Sequence, residues 1–263
     1  MPVADVNGQR IAYDDTGGEG PVVVFSHGFL MDRSMFVHQV AALRDRYRVV
    51  TWDERGFGET VWDGNPFSYW DSADDVLGLL DHLGVEQAVL AGMSQGGFLS
   101  LRAALRAPER VRALVLLDSG ADVDHADVLA GYQTMIDTWV SVGPVDELAQ
   151  AVAGIILGDE AESARWIAVW KQRDHAALRE PGACLVGRDD LTGRLGEITC
   201  PALVVHGSAD VAIPLERAES MARGLPGAGP VVVIDGAAHA ANLTHPEPVN
   251  RAVEQFLASL GSR

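Results

Sequence analysis

The chain has 263 residues, 48% of them hydrophobic, which suits one large domain or a core domain carrying an insertion. A formal net charge of −17 with no Lys/Arg cluster on any helix face argues against nucleic-acid binding, and no apolar run approaches the roughly 20 residues that span a bilayer. The opening MPVADVNGQRIAY lacks the basic and apolar regions of a signal peptide. Cys184 and Cys200 form no CxxC pair and sit near no cluster of histidine ligands, so a cytoplasmic protein without metal or cofactor is expected.

Short β-rich runs alternate with helical patterns, as in parallel βαβ units. Val3–Val6 and Arg10–Tyr13, joined at Asn7-Gly8, predict a hairpin. Pro21–Ser26 (PVVVFS) and Arg48–Trp52 (RVVTW) read as strands buried on both faces, with a helix over Met35–Arg46 between them. Val76, Leu77, Leu80 and Leu83 give Asp71–Leu83 a helical period. The strand Ala88–Ala91, the helix Gln95–Ala107 and the strand Val111–Leu117 follow. After the gap described next come the strand Ala202–His206, a helix over Leu215–Gly224, the strand Val231–Ile234 and a last helix over Val249–Leu260.

Between Ala121 and Glu197 the rhythm changes. No buried strand run appears, and helical patterns carry Tyr132, Met135, Trp139, Trp166 and Trp170. The chain therefore divides into a core of residues 1–120 and 197–263 and a helical segment of residues 121–196. That segment is either a cap over a site or a structural appendage, and its aromatics suit internal packing as well as a pocket.

Chemistry concentrates at Gly92-Met93-Ser94-Gln95-Gly96, a G-x-S-x-G sequence placed after a strand and before a helix. A turn that sharp leaves no room for a Cβ at either flanking position, and it lifts the serine hydroxyl above the strand ends. A serine hydroxyl needs a base. Of eight histidines, His239 follows the last strand at the edge where open α/β sheets build sites, whereas His245, before Pro246, reads as a helix-entry residue. The base needs an acid to hold its tautomer. Asp210, in HGSADVAIP, lies on the same edge and is preferred; Asp118, at the end of VRALVLL, is the alternative. Two N–H donors for an oxyanion are expected from the backbone of Gln95 and of Phe29, the latter in the His27-Gly28-Phe29 loop. Phe29, Met93, Trp139 and Trp166 are the candidate pocket residues. The turn Asp53-Glu54-Arg55-Gly56-Phe57-Gly58 reads as locked by an Asp–Arg contact.

On HGF, DERGFG, GMSQGG, HGSAD and GAAHAANLTHPE, in that order, the chain resembles the α/β-hydrolase fold over essentially its whole length. The resemblance implies a mostly parallel eight-stranded sheet with helices on both faces and a helical cap from about Ala121. It also implies Ser94 as nucleophile, Asp210 as acid, His239 as base, and the Phe29 and Gln95 amides as the oxyanion hole. Some relatives take the acid at the position of Asp118. Serine at 94 departs from the aspartate nucleophile of haloalkane dehalogenases and epoxide hydrolases, and GMSQG differs from the GGSWG-type elbow of proline iminopeptidases.

The C-terminal segment is similar to enol-lactonases and small esterases. The expected activity is therefore hydrolysis of a small carboxylic ester or lactone. The alternatives are C–C bond hydrolysis of a diketone or ring-fission product, cofactor-free perhydrolysis of the haloperoxidase kind, and a non-catalytic ligand receptor. A carboxylate-bearing substrate would need a cationic anchor, for which Arg33, Arg165 and Arg188 are candidates. The expected partner is a small molecule, with self-association into a homo-oligomer open.

Overall fold

The computed structural model describes residues 2–261. The chain opens with β1 (Val3–Val6) and β2 (Gln9–Asp15), an antiparallel hairpin. Its turn uses Asn7 and Gly8 at φ 50° and 79°, the left-handed geometry that matches the twist of a two-residue hairpin. Then follow β3 (Val22–Ser26), α1 (Val37–Leu43), β4 (Arg48–Trp52), α2 (Tyr69–His82), β5 (Ala88–Met93), α3 (Gln95–Arg106) and β6 (Val111–Leu117). Four helices come next: α4 (Ala126–Val142), α5 (Asp146–Ile156), α6 (Glu160–Trp170) and α7 (Arg179–Val186). The chain ends with β7 (Ala202–Gly207), α8 (Leu215–Gly224), β8 (Val232–Ile234), α9 (Ala241–Thr244) and α10 (Pro246–Ser259).

All eight strands join one sheet in the order β1-β2-β4-β3-β5-β6-β7-β8. Its β2–β4 pairing is antiparallel like the hairpin, and every pairing from β4 to β8 is parallel. Side-chain alternation sends Val24, Leu90, Leu114 and Val204 to the face covered by α2, α3 and α8. Val23, Phe25, Val89 and Val115 go to the face covered by α1 and α10. With both faces covered, the central strands read as unbroken apolar runs.

Two expected helices differ most in extent. Asp32 accepts from the Ser34 N–H and starts a 3-10 turn over Arg33–Phe36, so only Val37–Leu43 is α-helical in the segment read as Met35–Arg46. The last helix starts at Pro246, three residues earlier than expected, because the proline ring suits a first helical turn.

From β3 the chain steps to β4 on one side and then crosses to β5 on the other. The carboxyl ends of β3 and β5 thus flank the point where the strand order reverses, and open α/β sheets place their binding crevices there. Among the described residues no helix is long and apolar enough to cross a membrane.

Candidate active site

Ser94 stands between β5 and α3 at φ 52° and ψ −114°, a conformation that costs about 1–3 kcal/mol and persists only where the surroundings enforce it. They do so from three sides. The Ser94 N–H donates to Leu117 O on β6 (2.9 Å), and its carbonyl accepts from the Gly97 N–H (2.9 Å) and the Ser119 hydroxyl (2.9 Å). A Cβ at Gly92 would lie 2.0 Å from Gly96 O, and one at Gly96 would lie 2.0 Å from Ser26 O. Both flanking glycines are therefore required by backbone contact.

His239, in the loop between β8 and α9, has Nδ1 2.8 Å from Asp210 Oδ2. The loop after β7 holds that carboxylate: Oδ1 accepts from the Ala212 and Ile213 N–H groups at 2.9 and 3.0 Å. Burial pushes the Asp210 carboxyl up, but the facing His239, the Ile213 amide and His206 outweigh it and hold the carboxyl below its ordinary range. Asp210 is thus ionised and oriented toward the imidazole.

Asp118 lies elsewhere in the same neighbourhood. It is fully buried at φ 47°, and its Oδ1 accepts from the Gly207 N–H at 2.7 Å. Burial, with Asp210 nearby, pushes its carboxyl well above the ordinary range. Among the described residues His239 pairs with Asp210 and not with Asp118.

Asp118, His206 and Asp210 bring potential ligand atoms within 4.8 Å of one another. Asp210 is already engaged by His239 and two peptide N–H groups, and His206 Nε2 donates to Ile213 O at 2.8 Å. The three form a buried carboxyl–imidazole cluster beneath the site.

Ser94 and His239 open on one cavity of about 390 Å³. The Ser94 hydroxyl makes no hydrogen bond to another side chain or backbone group among the described residues. The same holds for the peptide N–H groups of Phe29 and Gln95, the second of which begins α3, where helix geometry supplies no acceptor. Phe29 and Met93 line this cavity, and a Cβ at Gly28 would lie 2.4 Å from Met93 Sδ, which shows how closely the two loops approach.

Trp139 and Trp166 do not line it, correcting the expectation. Trp139 packs edge-on against Trp170, with ring centroids 5.5 Å apart, and lines a separate cavity of about 300 Å³. Trp166 is completely buried among apolar side chains. The walls come instead from Tyr132 and Met135 on α4, Val152, Ile155 and Ile156 on α5, and Ile213 after Asp210. The i, i+3, i+4 spacing on α5 was readable as an apolar stripe, but nothing in it says that the stripe faces a cavity.

Of the three arginines, only Arg188 lines the cavity. Its guanidinium lies over the Phe98 ring (4.7 Å) and pairs with Asp124 Oδ2 at 2.5 Å, while the other Asp124 oxygen takes Arg217. Its Nε is buried without a partner among the described residues. Arg33 is held by Asp14, Asp53 and Glu59, and Arg165 pairs with Glu162. The DERGFG turn also differs from expectation. Asp53 is taken by Arg33, and Arg55 reaches away to a bidentate pair with Asp75 at 2.5 and 2.8 Å, because Asp75 is buried on α2 and needs a cation.

The chain is similar to known hydrolases. RutD of Agrobacterium fabrum, named as a carbamate hydrolase, is 30% identical over 255 residues, covering 92% of this chain and 95% of that one. A thermophilic esterase from Thermogutta terrifontis superposes with a TM-score of 0.87 at 29% identity, covering 96% and 94% of the two chains. The enol-lactonase from Burkholderia xenovorans LB400 superposes with a TM-score of 0.90 at 27% identity, covering 98% and 100%. Residues 21–246 match the family model described as alpha/beta hydrolase fold, and the chain belongs to that family of hydrolases.

Proposed function

We propose that the protein is a serine hydrolase that cleaves small carboxylic esters or lactones through an acyl-enzyme on Ser94. The observation that carries this reading is that His239, paired with Asp210, opens together with the Ser94 elbow on one apolar cavity. In it, His239 takes the Ser94 proton as the hydroxyl attacks the carbonyl, and Asp210 stabilises the imidazolium that forms. The Phe29 and Gln95 N–H groups receive the developing O⁻. His239 then protonates the leaving alcohol and activates the water that clears the acyl group. The helices of residues 121–196 act as the cap, supplying most of the acyl wall through α4 and α5.

The cavity favours an uncharged acyl or ring portion. Arg188 is neutralised by Asp124, and Arg217 is shared between Asp124 and Asp122, so two cations face two carboxylates. Apolar walls and a compensated cation offer a carboxylate little reward for its lost hydration. The esterase and enol-lactonase relatives support the ester or lactone class.

Hydrolysis of p-nitrophenyl butyrate by the wild type and by Ser94→Ala tests the reading. Turnover that drops by at least about 10³-fold in the variant is expected. Equal turnover by both would overturn it.

A further inference from the structure

Behind the two amides assigned to the oxyanion lies a buried side-chain network that the mechanism above does not use. We propose that Glu54 is a positioning residue that holds both donors of the oxyanion hole, one through its backbone N–H and one through its carboxyl. This inference rests on the serine-hydrolase reading.

The backbone arm runs through His27. The Glu54 N–H donates to His27 Nε2 at 3.0 Å, so the proton of the neutral ring sits on Nδ1. Burial holds the His27 pKa below its ordinary value, which keeps the ring neutral and Nε2 free to accept. His27 Nδ1–H then donates to Gly28 O at 2.8 Å, and the Met31 N–H donates to the same oxygen at 3.1 Å. That carbonyl belongs to the peptide group whose N–H is that of Phe29. In a trans peptide the C=O and N–H point in opposite directions, so gripping the Gly28 oxygen aims the Phe29 N–H the other way. An imidazolium would carry a proton on Nε2 as well and would lose the Glu54 bond.

The carboxyl arm runs through the Gln95 side chain. Gln95 Nε2 donates to Glu54 Oε1 at 3.1 Å, and Gln95 Oε1 accepts from the Tyr69 hydroxyl at 3.1 Å. Both ends of the Gln95 amide are therefore held, and with them the first residue of α3, whose N–H is the second donor. Glu54, Gln95 and Tyr69 are all buried. Burial, with Asp75 nearby, pushes the Glu54 carboxyl well above its ordinary range, which favours the protonated form. Glutamine at this position keeps the size of the side chain and an oxygen that can accept from Gln95.

Two variants of the full-length protein separate positioning from mere packing. In Glu54→Leu the Gln95 amide loses its acceptor, and kcat for p-nitrophenyl butyrate is expected to fall about 100-fold, the effect of losing one oxyanion donor, with KM within about threefold. Affinity for an alkyl trifluoromethyl ketone, which forms the oxyanion on the serine, should fall in step with kcat. Glu54→Gln should restore kcat to within about fivefold of wild type. Tyr69→Phe removes only the hydroxyl and should lower kcat about fivefold at constant KM, which decides the matter if Glu54→Leu does not fold. A folded Glu54→Leu with wild-type kcat, a KM that rises as far as kcat falls, a Glu54→Gln as impaired as Glu54→Leu, or an unaffected Tyr69→Phe would each overturn the proposal. Loss of turnover in Ser94→Ala alongside any of these sinks only the role of Glu54. Turnover retained in Ser94→Ala sinks the hydrolase reading itself.

Discussion

The Trp170 indole N–H donates to the Leu30 carbonyl across 2.8 Å, tying the end of α6 to the turn that carries Phe29. Leu30 sits at φ 66°, a conformation a branched side chain seldom adopts, and Arg173 adds a second donor to the same carbonyl at 3.0 Å. The helical segment thus clamps a strained turn one residue beyond a proposed oxyanion donor. Trp170→Phe keeps an aromatic ring but removes the pyrrole part of the buried indole together with its hydrogen bond. The lost bond costs about 1 kcal/mol and the void adds to it, so Tm should fall by at least about 2–4 °C, with kcat falling several-fold. Thermal denaturation alongside steady-state kinetics checks both, and an unchanged kcat would separate the clamp from catalysis.

The identity of the acid is open to a direct comparison. Asp210→Asn should reduce kcat by about 10⁴-fold, because the amide cannot stabilise an imidazolium and disturbs the tautomer of His239. Asp118→Asn should stay within a few-fold of wild type. An asparagine carbonyl can still accept from the Gly207 N–H, and burial already pushes the Asp118 carboxyl well above its ordinary range. The reverse pattern of losses would hand the role to Asp118.

Asp118 also predicts a pH dependence of stability. Its folded-state pKa lies well above 3.8, while the unfolded chain ionises near that value. The stability it contributes is therefore complete below pH 3.8 and is lost as pH rises toward the folded pKa. Over that window the wild type should lose up to about 1.4 kcal/mol per pH unit relative to Asp118→Asn. Denaturant titrations of both proteins at pH 4, 5, 6 and 7 would measure the difference, and parallel curves would show that the group ionises in place. Asp210 works in the opposite sense: its depressed pKa stabilises the fold above the unfolded value, and that contribution fades as pH falls through the folded one.

Charge compensation around Arg188 makes a prediction about specificity. Asp124→Asn leaves Arg188 lining the cavity without its counter-charge. KM for a hemisuccinate ester should then fall about tenfold, while KM for the matching neutral butyrate ester changes little. Equal responses from the two esters would mean that the guanidinium does not reach the acyl group.

Local pattern was enough for much of this molecule. Glycines at 92 and 96 around a lone serine, after an apolar run and before a helical one, announce an elbow, because only glycine tolerates backbone at 2.0 Å from its Cβ position. The strand-and-helix alternation likewise implies a parallel sheet, and His239 and Asp210 each follow a strand at its carboxyl edge. Those are short-range statements, and the chain carries them in short range.

The pocket was not legible in the same way. Trp139 and Trp166 lie on helices whose apolar residues could serve a wall or a core equally well, and helix-on-helix packing turned both inward. Which arginine faces the cavity depended on Asp124, 64 residues from Arg188, and the partner of Arg55 proved to be Asp75, not Asp53. Burial depth and loop path likewise separate Asp210, which meets His239, from Asp118, whose carboxyl burial pushes well above its ordinary range. By itself the sequence determined the sheet, the elbow and the edge on which the site stands. Only the tertiary structure decided which side chains meet across that edge, because desolvation and charge pairing act between segments that no local spacing relates.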